Sequence, residues 1–410
     1  MSINDYCLES QHPTEIHTLT PSVLPYSSVY KGAVSVDVVH DGNCIPHQFM
    51  VNGKGEPHDE KIIGQHYVLE RDWGANIVAK KLSETLALDS FFTVNIARCL
   101  LDFGRFPGIT KQGASHLGRF AINQPFATLL NYQQKQYLLE SYYDVISKEM
   151  EHYLQNRLLK IAIHTYDPYN ASGTLRPEVS LVTRMLGYQL ESRMPIGVFD
   201  PLYPDILAEF TVDRILRDRI SLTLEKQGIP VAHNYPYLLP EGSIEVRHQV
   251  WRFFKWLQAH FEKRFPQTVT KESYQSVWNM LQDTNLRSAE ASTLRSVLHL
   301  FRRPPEDSRL RTNAAVQAYH HIADFVHTDN DAVVEEYRLS PDRCMALGIE
   351  IRKDLVWKLD SKGAPIELAP ERGLYIAEQI GKAIITYLNE DRSQKISGRV
   401  ALLHQLRNGE

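Results

Sequence analysis

The sequence predicts an α/β protein with a mixed, mostly parallel central sheet flanked by helices and interrupted by an all-helical insertion. Three observations carry this expectation. Short β-branched or apolar runs alternate with helical periods over residues 31–250, the pattern of βαβ units. The run at 158–167, LLKIAIHTYD, has five apolar residues among its first six, as a strand buried on both faces requires. Between 251 and 339 strand patterns vanish and only helical periods remain, before β character returns at 345–351, MALGIEI.

Residues 1–30 are polar, with prolines at 13, 21 and 25, and read as an extended lead-in. The α/β core is expected over 31–250 and 340–410. Its first strand, AVSVDVVH at 33–40, ends in His40-Asp41-Gly42, where the glycine lets the chain turn sharply. Residues 51–66, rich in Gly, His and charge, read as a loop. Glu70 and Asp72 then stand before a helix over 75–88, placed either to compensate its N-terminus or to supply a carboxylate ligand. The stretch FFTVNIARCLLDFGR (91–105) is a strand followed by a loop bearing Arg98, Asp102 and Arg105. An arginine fork suits a substrate carboxylate, and the aspartate can hold one of the two arginines in position.

A helix over about 135–158 precedes the 158–167 strand, and Asp167-Pro168 ends that strand just after His164. A further helix at 213–226 and a strand at 228–232 lead into His233-Asn234-Tyr235-Pro236-Tyr237. His40 and His164 both end strands, and in open α/β sheets the ligand crevice lies beyond the strands' carboxyl ends. Two such imidazoles with one carboxylate, Asp72 or Glu70, would hold zinc with an open position for water. Glu350 lies inside an otherwise apolar strand, where an unpaired carboxylate is costly, and it is the candidate base. Glu245, in the similar string Ile244-Glu245-Val246-Arg247, is its rival.

At 410 residues the chain can bury a large core, and 43% hydrophobic with 23% charged residues is ordinary for a globular protein. A net charge of -4 gives no reason to expect a nucleic-acid partner, and Arg302-Arg303 runs into Pro304-Pro305 and Glu306-Asp307, as a solvated loop does. The N-terminus lacks a basic segment followed by an apolar one, and no apolar run approaches the ~20 residues of a bilayer span, so no membrane association and a cytoplasmic location are expected. Cys7, Cys44, Cys99 and Cys344 form no C-x-x-C pair, which argues against a disulfide framework or a thiolate zinc site.

Taken together, His40-Asp41-Gly42, Asp72, Arg98-(x3)-Asp102-(x2)-Arg105, His164, Asn234-x-Pro-Tyr and Glu350 resemble the N-formylglutamate amidohydrolase family over about residues 33–250 and 343–390. The resemblance implies a zinc-carboxypeptidase-like fold. It implies His40, Asp72 and His164 as Zn2+ ligands, Glu350 as general base with Arg98 beside it, and Arg98, Asp102, Arg105 and Asn234 as substrate-binding residues. The implied reaction is hydrolysis of an amide in a carboxylate-bearing N-acyl amino acid or short peptide. Three positions depart from the family pattern: Asp41 stands for a serine, Ala162 for an aspartate, and Gly104 for an asparagine. The departures and the large insertion leave a second expectation, a family member that binds or regulates without turnover.

Overall fold

The computed structural model describes residues 12–105, 121–185, 200–284 and 309–390, apart from 21, 240–241, 329–330 and 341, with a few positions between 291 and 298. Cys7, most of the helical period at 286–301, the Arg302-Arg303 cluster and residues 391–410 lie outside the described residues. Seven strands form one sheet in the order β1 (Thr14–Thr18), β3 (Ser90–Val94), β2 (Val34–Val38), β4 (Leu159–Tyr166), β7 (Met345–Arg352), β5 (Val179–Val182) and β6 (Val231–His233). The central four, β3, β2, β4 and β7, run parallel, while β1 at one edge and β5 and β6 at the other run against them. The protein is thus an α/β fold on a mixed, mostly parallel sheet.

Alternation along the strands gives the sheet two unlike faces. Val34, Val36 and Val38 of β2, Leu159, Ile161 and Ile163 of β4, and Leu347, Ile349 and Ile351 of β7 belong to one apolar core. Covering that core are α2 (Ala75–Thr85), which follows α1 (Glu60–Glu70), and, later in the chain, Arg214–Lys226 and Glu371–Asn389. The intervening residues, Asp37, Lys160, Ala162, His164, Gly348 and Glu350, face the other way. Under this polar face lies a second core, built from the loops after β2 and β3 and from α3 (Tyr132–Leu138), which passes through a π-helical turn (Leu139–Tyr143) into α4 (Asp144–Leu154). With Arg214–Lys226 as α5, the helical insertion comprises α6 (Ile244–Arg264), α7 (Glu272–Gln282), α8 (Arg309–Val326) and α9 (Ala332–Leu339), which share a third core with Val182 and Leu239; Glu371–Asn389 is α10. Among the described residues no helix is long and apolar enough to cross a membrane.

Several expectations are corrected. Residues 14–18 of the supposed lead-in are the edge strand β1, paired antiparallel with β3. The expected loop at 51–66 becomes helical from Glu60, where the Asp59 side chain accepts the Lys61 N–H. The string at 244–247 is the first turn of α6 and not a strand, because the Ser243 hydroxyl accepts the Val246 N–H and starts a helix there. Position 245 therefore lies in a helix and not in a strand.

The polar face carries a buried ion pair, Lys160 with Asp37 on the neighbouring strand, Nζ lying 2.9 and 2.7 Å from the two carboxylate oxygens. Taking the ammonium from a buried carboxylate is strongly unfavourable. Lys160→Met is expected to lower the unfolding free energy by about 3 kcal/mol, read from the urea midpoint at unchanged slope.

Candidate metal centre

Three separate segments converge at the carboxyl edge of the parallel strands. His40 follows β2 by two residues, His164 projects from the polar face of β4, and Asp72 sits between α1 and α2, its backbone N–H donating to the His40 carbonyl at 3.0 Å. The loops after β2 and β3 are tied by Cys44 N–H to the Asn95 carbonyl and Ala97 N–H to the Cys44 carbonyl, each at 2.8 Å. Their approach is so close that a Cβ at position 42 would stand 2.5 Å from the Ile96 carbonyl oxygen, which explains Gly42.

Both imidazoles turn Nδ1 toward one oxygen. Asp72 Oδ2 lies 3.0 Å from His164 Nδ1 and 3.6 Å from His40 Nδ1, and the rings are 5.0 Å apart. Donors around a tetrahedral zinc, at ~2.0–2.2 Å from the ion, stand roughly 3.3 Å from one another, so these separations fit such an ion. The donor atoms of His40, Asp72 and His164 all lie within 4.8 Å of one another.

The proton positions point the same way. His40 Nε2 is 2.9 Å from Asp102 Oδ1, and because a carboxylate only accepts, Nε2 carries a hydrogen and Nδ1 is the ring nitrogen turned toward Asp72. That Nδ1 is buried without a hydrogen-bond partner, an arrangement a cation would satisfy. Asp102 also accepts from the Gly104 N–H at 2.8 Å and from Arg98 Nε at 3.4 Å, and pairs with Arg105 Nε at 3.3 Å. A Cβ at position 104 would stand 3.0 Å from Asp102 Oδ1 and 3.4 Å from His40 Cε1, so glycine suits this corner. Asp102→Asn keeps the shape and loses the charge behind His40. It is expected to weaken zinc binding roughly 10–100-fold in competition with a chelator.

The charges are arranged in opposed senses. Burial alone would raise the Asp72 carboxyl, but Arg98, with Nη1 3.1 Å away, and the hydrogen bond from His164 outweigh it and hold it well below the usual carboxylate range. Asp102 is likewise held down, Arg98 and His40 overcoming its burial. Glu350, paired in register with His164, is shifted the other way: burial pushes it up, Asp72 adds to this, and His164 and Arg98 offset only part. One carboxylate is thus held down beside one that is raised.

His40, Asp72, Arg98, His164, Asn234 and Glu350 all line one cleft of about 850 Å³. Glu70 lines it too, but accepts from Asn123 Nδ2 at 3.3 Å and lies outside the three-donor group, which contains Asp72. Asp102 and Arg105 are not among the lining residues. Asp102 supports His40 and the two arginines, and the half-exposed Arg105 pairs with it. Asn234, in a left-handed conformation (φ 53°), accepts the Thr183 N–H at 2.8 Å through Oδ1. Asp41 accepts from Arg71 Nε at 2.7 Å and from the Asn76 N–H of α2 at 3.0 Å. Sequence reasoning missed Lys353, a cleft residue whose only signal was its place just after the Glu350 strand.

No family model and no curated protein matches the chain. Among solved structures, a gene product of Agrobacterium tumefaciens overlays with a TM-score of 0.41 at 16% identity, covering 92% of this chain and 96% of that one. An N-formylglutamate amidohydrolase from Ralstonia eutropha JMP134 overlays with a TM-score of 0.44 at 12% identity, covering 92% and 97%. At these scores neither likeness carries an argument, and the centre is read from its own residues.

Proposed function

We propose that the chain is a zinc-dependent amidohydrolase, with a zinc-carboxypeptidase-like active centre, that cleaves an N-acyl amide of a small carboxylate-bearing molecule. The observation that carries this reading is the buried Nδ1 of His40, without a hydrogen bond and 3.6 Å from Asp72 Oδ2, with His164 Nδ1 on the same oxygen. Zinc held by these three residues would supply Lewis acidity to a water and to the acyl oxygen. Glu350 accepts the proton of the attacking water at its carboxylate and returns it to the departing amine nitrogen. Arg98, fixed by Asp72 and Asp102, places positive charge beside the oxygen on which negative charge grows. Asp102 fixes the His40 ring and its tautomer. Asp41 and Gly104, the departures that would favour a binding protein without turnover, are neither among the three proposed donors nor the proposed base.

A panel of N-formyl, N-acetyl and longer N-acyl amino acids and short peptides tests this reading. Hydrolysis of at least one member, abolished by a chelator and restored by zinc, is expected; an undiminished rate after chelation contradicts it.

A further inference from the structure

Lys353 lies three residues beyond Glu350, in the 3-10 turn Lys353–Leu355 that follows β7, and it lines the cleft. The residue is only 4% exposed, and a buried ammonium needs an anion. Its Nζ donates to Asp167 Oδ1 at 3.0 Å, yet the Asp167 side chain is 56% exposed, on the loop after β4. A solvated carboxylate thus partners a desolvated cation at the cleft wall. Arg98 is differently placed: its Nη1 and Nε are committed to Asp72 and Asp102 inside the protein.

On the other side of Glu350 the same strand presents Gly348. A Cβ there would stand 3.1 Å from Leu239 and 3.2 Å from Val182, which close the floor, and both line the cleft with Tyr237. The rise of a strand places Gly348 roughly 7 Å before Glu350, and Lys353 follows Arg352, the last residue of that strand, on the other side of Glu350. The base therefore stands between an apolar floor and a buried cation.

We propose that Lys353 anchors the substrate's carboxylate, with Asp167 holding the ammonium until that carboxylate displaces it, and that the substrate's other end, across the scissile amide, is apolar. The proposal rests on the amidohydrolase reading and names its substrate class: an amino acid N-acylated with a bulky apolar group. Asp167 acts as an internal competitor. Removing its charge frees the anchor, whereas removing Lys353 abolishes it.

Calorimetric titration of the zinc-loaded full chain with 4-phenylbutanoate, its primary amide and butanoate tests the idea. Phenylbutanoate is expected to bind at least tenfold more tightly than either of the others. Lys353→Met should weaken it ten- to hundredfold and erase the preference for acid over amide. Asp167→Asn, a change at an exposed side chain, should tighten it severalfold, an effect opposite in sign to structural damage. Absence of measurable phenylbutanoate binding, equal binding of acid and amide, unchanged binding by Lys353→Met, or weaker binding by Asp167→Asn each overturns the proposal. Zinc is assayed on the same samples. Native protein that takes up no zinc defeats the amidohydrolase reading however Lys353 behaves, whereas zinc-bearing protein indifferent to Lys353→Met defeats the anchor alone.

Discussion

Glu350→Gln is expected to lower turnover about a thousandfold while leaving bound zinc in place, because the amide keeps the shape of the side chain and cannot accept a proton. The cost follows from geometry. Glu350 faces into the cleft from the strand paired with that of His164, and it is not one of the three donor residues. Burial holds its carboxyl above the ordinary range, with Asp72 reinforcing and His164 opposing the shift. A base works only when deprotonated. In the native protein kcat/KM should therefore fall as pH drops through that raised value, and the residual activity of Glu350→Gln should lack this acidic limb. Steady-state rates between pH 4 and 9, with zinc assayed alongside, read both effects; a variant within about tenfold of native rates would remove Glu350 from the role of base.

His164→Ala is expected to weaken zinc binding roughly a thousandfold or more, since loss of a hydrogen-bond partner behind a ligand alone costs roughly 10–100-fold. Activity should be lost with the metal. Half-buried at the end of β4, His164 exchanges its side chain for space that opens on the cleft, so the sheet is expected to fold normally. Thermal denaturation separates the two consequences. Zinc binds the native and not the unfolded state, so it should raise Tm of the native protein and leave that of His164→Ala unmoved.

How far the centre could be read from the sequence depended on where each residue sits relative to a strand. His40, His164 and Glu350 stand out because each interrupts or ends a β-branched or apolar run, and parallel strands bring such positions to one edge. The companion of His40 could not be seen, because Asp102 is 62 residues away and reaches the ring only once the loops after β2 and β3 are tied together. Asp102 therefore reads as a substrate contact in the sequence, when its carboxylate is turned inward to His40 and Arg98. Lys353 was hidden inside Arg352-Lys353-Asp354, a string that reads as solvated charge. Its burial is set by the turn after β7.

The fold shows the same division. The alternation of Leu159, Ile161 and Ile163 with Lys160, Ala162 and His164 was masked by Ala162, which made the strand read as uniformly apolar. β1 lies between the prolines at 13 and 21, and β5 has only four residues, too few for a period to register. The helix at 60–70 buries only Ile63 and Tyr67 and includes Gly64, so its periodicity was weak. At 244–247 the residue pattern suited a strand as well as a helix, and the Ser243 cap decided between them.

Zinc content, measured by elemental analysis after equilibrium dialysis against a slight excess of the metal, addresses the convergence of the two imidazoles most directly. One zinc per chain is expected in the native protein, and none in a His40→Ala/His164→Ala variant whose circular dichroism shows the same fold. A native protein that retains no zinc, or a double variant that keeps one, would contradict a metal centre built on His40, Asp72 and His164.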